Sequence, residues 1–291
     1  MSATSSTTVP SFRGRIGCDA RSGYYAAPQR YRLHLSLSCP DSLQIAIAHS
    51  LLGLGDTLPV TLLPSLPDAS DGGHLALRPL YEASSHLHPG PAVAPVLSDN
   101  WTGTIVSTHT SDILRDLARR FAGPGPDLYP RGAEEDMEVV VRLCDESVTV
   151  AAQSAGRCDS DSAAREAALA TLLGALHTLD RRLASREYVL GGELTLADVW
   201  LWVTLVQLDL VHRHHLDAAA VHRITEHPHV WAYARRLAAH PAFGSHLDLE
   251  GIVRRHHAHC QGMEAAGAAV QIVDWLAYAP REGVRTVRQC R

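Results

Sequence analysis

The chain has 291 residues, a formal charge of -5 and 46% hydrophobic residues, enough for about two domains with a sizeable core. No basic stripe interleaves with aromatics and no apolar run is long enough to cross a bilayer, so neither nucleic acid nor a membrane is an expected partner. All 26 basic residues are Arg and none is Lys, which excludes the Walker phosphate loop, pyridoxal Schiff bases and lysine general bases.

Residues 1–30 are rich in Ser, Thr, Gly and Pro and read as an irregular N-terminal arm. MSATSSTTVPSFR has no apolar h-region, so a cytoplasmic protein is expected. From Tyr31 the pattern alternates, with Tyr31, Leu33, Leu35 and Leu37 on one side, as in a half-buried strand. It then changes to helical period at Leu43, Ile47, Leu51 and Leu54. Cys39 stands between the two patterns, followed by Pro40 as a first-turn residue. A thiol at a helix N-terminus meets the positive dipole end and unpaired amides, which favour thiolate. Cysteine is also among the most buried residue types, so a small core side chain and a nucleophile are the two roles open to Cys39. No second Cys follows within three residues, so the motif is monothiol.

Thr57 to Leu63 reads as a short strand, with Pro59 arguing for an edge or a start. Pro64 to Pro91 has no clear period and reads as a long functional loop. Ala92 to Leu97 is a strand interrupted by Pro95, which predicts a bend or a cis peptide. Thr104 to Val106 is a last strand, and the cap-type run Ser107 to Asp112 predicts a helix N-terminus. These elements make a small α/β domain over 31–120.

Residues 121–132 form a Gly- and Pro-bearing linker, and 133–261 read as helix. Apolar spacing marks Ala133 to Val150, Ala163 to Ala184, Leu194 to Val211, Ala218 to Thr225 and His229 to His240. Thr195 and Asp198 have the spacing of a short-armed capping box. The six cysteines lack short spacings and read as reduced thiols. The chain has eighteen histidines, eight of them in clusters at 212–215, 227–229 and 256–259. No run holds an i, i+4 His pair, and His256 with Cys260 supplies only two ligands, so a His-enriched surface is expected and a metal is not. Residues 262–291 read as an extension packing on the helical domain or on a partner subunit.

RYRLHLSLSCP (30–40), PVL (95–97), TIVSTHTSDILR (104–115), DLYP (127–130) and LTLADVWLWVTLVQLD (194–209) together resemble the glutathione transferase superfamily. The resemblance is closest to its xi class, the glutathionyl-hydroquinone reductases. It implies a thioredoxin-like α/β N-terminal domain, an all-α C-terminal domain and a homodimer. It further implies that Cys39 attacks the sulfur of a glutathionyl-hydroquinone and that a second glutathione resolves the mixed disulfide. Ala94, before Pro95, would pair its backbone with the cysteinyl part of the thiol cosubstrate. His109, Thr110 and Ser111 would hold its γ-glutamyl end at a helix N-terminus.

Several positions depart from that pattern. Asp41-Ser42 stand where the family has Trp-Ala, and the acid raises the thiol pKa by like-charge repulsion. His109-Thr110 replace Glu-Ser, removing the anion that meets the glutathione ammonium, and Thr149 and His256-His257 stand where tyrosines are expected. His256 and His257 are then the proton donors or acceptors, if their segment returns over the cleft. Arg without Lys and abundant Ala point to a GC-rich genome, and an actinobacterial owner would supply mycothiol in place of glutathione. The expected enzyme is a thiol-dependent oxidoreductase or transferase acting on a quinone-like or electrophilic aromatic small molecule, with Asp41 and Thr149 on the substrate side. A lyase, isomerase or cyclase of specialised metabolism using His and Asp proton transfer is the alternative, and a catalytically silent binding protein the third reading.

Overall fold

The computed structural model describes residues 11–121, 123–157, 161–260 and 271–278. The first ten residues of the N-terminal arm, Cys158, Cys290 and most of the 262–291 extension lie outside them. The first half is built on β1 (Tyr31–Leu35), α1 (Pro40–Leu51), β2 (Val60–Leu62), α2 (Arg78–Ser84), β3 (Val96–Asp99), β4 (Thr104–Ser107) and α3 (Thr110–Arg120). The sheet order is β2-β1-β3-β4, with β1 parallel to β2 and antiparallel to β3, and β3 antiparallel to β4. As its alternation requires, β1 buries Tyr31, Leu33 and Leu35 while Arg32 and His34 are half-buried.

Three expectations change here. The strand expected over 92–97 begins only at Val96, because Pro95 has no amide to give the ladder and the Ala94–Pro95 bond is cis. The strand expected over 57–63 shrinks to three residues after Pro59. The loop expected over 64–91 contains a 3-10 turn, Leu75–Leu77, running into α2. Its core-facing signal is only Leu77 and Tyr81, one helical turn apart, which pack with Val96 and Ile105 on one face of the sheet. On the other face lie α1 and α3.

The N-terminal arm is pinned rather than loose. The Gly14 amide donates to the Val106 carbonyl at 2.8 Å, and Arg13 and Arg15 form ion pairs with Asp112 and Asp116 of α3 at 2.6–3.2 Å. The linker is equally tight. A Cβ on Gly123 or Gly125 would stand 2.0 or 2.1 Å from the Leu52 or Leu51 carbonyl oxygen, so only glycine lets the chain cross the end of α1 there.

The second half comprises α4 (Glu134–Arg142), a π-helical stretch (Leu143–Val150), α5 (Ala151–Ala155), α6 (Ser162–Leu183), α7 (Leu196–Leu210), a 3-10 turn (His212–His215), α8 (Ala218–Thr225), α9 (Pro228–Ala238), α10 (Pro241–Gly244), α11 (Leu249–Cys260) and the short α12 (Trp275–Tyr278). The helix α11 was absent from the apolar-periodic segments because its outward side is a run of Arg and His. Almost every side chain of α7 is buried, and the apolar core runs unbroken from β1 and α1 through α7 to Trp275.

Two buried carboxylates knot the helices. The Asp198 carboxylate accepts from the Thr195 amide at 2.9 Å, completing the expected capping box, and from the Val189 amide and the Tyr233 hydroxyl. The Asp209 carboxylate accepts from the Ile272 and Val273 amides and the Trp275 indole at 2.8–3.0 Å and pairs with Arg213 at 3.2 Å. Residues 271–278 therefore pack on the helical half of the same chain.

Candidate active site

The strand register gathers four chain segments at one end of the sheet. His34 pairs with Val96, Leu35 with Leu62 and Leu97 with Ser107. The exits of β1, β2 and β4 and the entry to β3 therefore lie together. This brings the Cys39 turn, the 63–65 segment, the cis Ala94–Pro95 peptide and the 108–111 turn to one edge. The Ser36 hydroxyl donates to the Pro64 carbonyl at 2.9 Å, and the Ser38 hydroxyl to the Ser65 carbonyl, fixing the turn that presents Cys39.

Cys39 is the N-cap of α1 in extended conformation, and it retains 8% exposure. Burial first and the Asp41 charge second push its thiol above the usual range. The amides of Ser42 and Asp41 and the charge of Arg255 pull the other way without overcoming them. Of the two opposed influences expected at this thiol, the helix-end amides and the Asp41 charge, the Asp41 charge acts in the same direction as burial, and together they prevail.

Asp41 is exposed, yet protein crowds it enough that desolvation raises its carboxyl; a bond from the Thr110 side chain and the charges of His109 and Arg255 oppose this, and Asp145 reinforces it. Ala94 is half-buried and Pro95 buried. His109 is the exposed N-cap of α3, held between Arg13 at 3.4 Å and Asp112 at 3.3 Å, while Thr110 is buried and Ser111 exposed. The Asp112 carboxylate is already taken by Arg13 and Arg15. Thr149 lies half-buried on the π-helical stretch. A cavity of about 380 Å³ opens between α3, α4 and α7, with Ser111, Tyr129, Asp145 and Trp200 in its wall. Cys39 does not line it; Asp145, whose charge reaches Asp41, connects it to the thiol turn.

The segment carrying His256 and His257 does return to the first half, but through another residue. The charge of Arg255 on α11 reaches Cys39, Asp41 and His74. His256, the next residue, is buried. Its ring stacks on His214 at 5.5 Å and meets His215 edge-on at 5.0 Å, with the exposed His257 at 5.6 Å. His256 and His257, expected to transfer protons, are thus placed beside His214 and His215. His74, buried before α2, was not anticipated; its imidazole is lowered by burial, and its Nδ1 meets no hydrogen-bond partner among the described residues. No local signal marks Arg255 or Asp145, whose charges reach the turn from distant parts of the chain, or His74, which the Arg255 charge also reaches.

The expected His-enriched surface is also corrected. His212 and His256 are buried, and burial with the neighbouring His215 and His256 lowers His212 to about 4. The two ligands counted from spacing become three, since His215 Nε2 lies 3.7 Å from the Cys260 sulfur.

Residues 162–236 match the family model described as "Glutathione S-transferase, C-terminal domain". The chain is 28% identical over 262 residues to the glutathionyl-hydroquinone reductase YqjG of Escherichia coli, covering 84% of this chain and 79% of that protein. The xi-class glutathione transferase of Natrialba magadii superposes with a TM-score of 0.78 at 25% identity, covering 91% of this chain and 87% of the other. The glutathione-bound structure of the Escherichia coli protein superposes with a TM-score of 0.76 at 25% identity, covering 90% and 94%. Among the described residues no helix is long and apolar enough to cross a membrane.

Proposed function

From the premise that this chain is a xi-like enzyme of the glutathione transferase superfamily, we propose that it is a glutathione-dependent reductase that removes a thiol substituent from a quinone-like aromatic. The observation that carries the reading is the position of Cys39, at the helix end where the cis Ala94–Pro95 peptide and the α3 N-terminus meet. The Cys39 thiolate attacks the sulfur of an aryl thioether. The carbon–sulfur bond breaks, a disulfide to Cys39 forms, and the ring carbon takes a proton. A second thiol, as thiolate, then attacks that disulfide, releasing the oxidised cosubstrate and restoring Cys39.

Ala94, Thr110 and Ser111 hold the cosubstrate, with its γ-glutamyl carboxylate at the amides that open α3. Were mycothiol, which has no free amino group, the cosubstrate in place of glutathione, His109 would offer a nitrogen donor or acceptor where no anion is needed. The raised thiol of Cys39 requires activation on binding, and Arg255 and the Ser42 amide are the groups placed to favour the thiolate. The enzyme acts in the cytoplasm as a homodimer.

One observation favours a second reading. The raised carboxyl of Asp41, open to solvent beside a raised thiol, is suited to proton transfer without sulfur chemistry. Mass spectrometry after incubation with glutathione and, separately, mycothiol distinguishes the two. Under the reductase reading an adduct forms at Cys39 with one of them and is absent in Cys39→Ser. Under the second, no adduct forms, and Asp41→Asn rather than Cys39→Ser abolishes turnover.

A further inference from the structure

The histidine cluster beside α7 is remote in sequence from the thiol turn and has no part in the reaction above. We propose that His215, His256 and Cys260 hold a divalent transition-metal ion of the zinc type, which clasps the C-terminal end of α11 to the turn that follows α7. The three ligand atoms lie within 4.8 Å of one another. His256 and Cys260 are four residues apart on one helix, so their side chains rise on the same face. His215 comes from a separate element, the 3-10 turn His212–His215, so the ion would join two parts of the chain that no covalent or helical bond holds together.

The geometry and the donor set agree. In a tetrahedral zinc centre with bonds of about 2.3 Å to sulfur and 2.05 Å to nitrogen, the sulfur–nitrogen edge is about 3.6 Å. The Cys260 sulfur and His215 Nε2 are 3.7 Å apart. A separation of 4.8 Å must close by about 1.2–1.5 Å to complete such a centre. Two imidazoles and a thiolate, with no carboxylate, select zinc-like ions over magnesium or calcium. His256 is buried and Cys260 partly so, which limits competition from water. Binding is an exchange in which the Cys260 S–H bond breaks, a sulfur–metal bond forms and the proton goes to solvent. Three protein ligands leave a fourth position for water or another donor. Because Arg255 adjoins His256 in sequence, the clasp also sets where α11 carries its charge against the Cys39 turn.

The test uses the metal-free full chain titrated with Zn²⁺ alone and with Co²⁺ alone. The expected result is uptake of one equivalent, release of a proton, and a sulfur-to-cobalt charge-transfer band in the near ultraviolet. His215→Ala, His256→Ala and Cys260→Ser are each expected to weaken binding by more than the ~100-fold that loss of an outer-shell partner can cost, while Cys39→Ser leaves uptake intact. On the unsubstituted chain, Zn²⁺ is expected to slow alkylation of Cys260 but not of the exposed Cys18, a readout independent of whether any variant folds. Absence of stoichiometric uptake, uptake without the sulfur band, indifference to all three substitutions, or unchanged alkylation of Cys260 overturns the proposal and leaves the trio a thiol–imidazole contact.

Discussion

Cys39 and Cys260 stand in opposite settings. Cys39 opens α1, and its residual exposure is 8%; Cys260 ends α11, half-buried beside an imidazole from another element. Local sequence favours the first, since a helix N-terminus stabilises an anion by about 0.3–1 kcal/mol. A tenfold change in acidity corresponds to ~1.4 kcal/mol, so the helix end alone supplies less than that, and burial with the Asp41 charge moves the thiol the opposite way. Cys260 has no such local advantage, yet the fold brings His215 Nε2 to 3.7 Å from its sulfur and a His256 nitrogen within 4.8 Å. The comparison teaches that an effect confined to one helix end is easily reversed by desolvation, and that ligand sets form where elements cross.

The largest expected effect separates the two thiols directly. Cys39→Ser should abolish turnover, whereas Cys260→Ser should leave it measurable, as read by steady-state assay on an aryl thioether. Next comes the support of the second site. Asp209→Ala leaves the buried Arg213 without its carboxylate and should cost about 3–5 kcal/mol in denaturant unfolding; it should disturb the alkylation rate of Cys260 more than that of Cys39.

The electrostatics of the first site give the third prediction. Removing a negative charge from beside a thiol lowers its pKa and raises the thiolate fraction at neutral pH, so Asp41→Asn should speed iodoacetamide labelling of Cys39 severalfold, up to about tenfold. Arg255→Ala should slow it, because the stabilising cation is gone. If neither changes the labelling rate, the contrast between the two thiols rests on burial alone.

Two further effects concern stability rather than the thiols. Thr195→Ala should cost about 1 kcal/mol of stability by removing the capping hydroxyl, leaving both thiols unchanged in labelling. His34 is pushed down from 6.5 to about 4, chiefly by burial and then by Arg32. The unfolded chain therefore takes up its proton first as pH falls. Stability present above 6.5 is lost between 6.5 and about 4, and His34→Gln should flatten that part of a stability-versus-pH curve.

Much of the architecture was legible. The alternation of Tyr31 to Leu35, the period change after Cys39, the proline within 92–97 and the Thr195–Asp198 spacing are each set by neighbours within a few residues. The weakest local signals have separate causes. Helix α2 offers only a two-residue apolar face, α11 hides behind Arg and His, and the arm at 11–16 draws its order from Asp112 and Asp116, about a hundred positions on. At the candidate site, Cys39, Asp41, the Ala94–Pro95 peptide and the 109–111 turn could be named beforehand. Arg255, Asp145 and His74 could not.

By itself the sequence determined the succession of elements, the place of the thiol at a strand-to-helix turn and the caps that begin the helices, because these depend on backbone periodicity and on groups only three or four residues apart. The tertiary structure alone decided the ionisation preference of Cys39, the arrival of Arg255 and the convergence of His215 with His256 and Cys260. Desolvation and charge pairing act through space, and the residues that supply them here are brought together only when the helical half closes on the sheet.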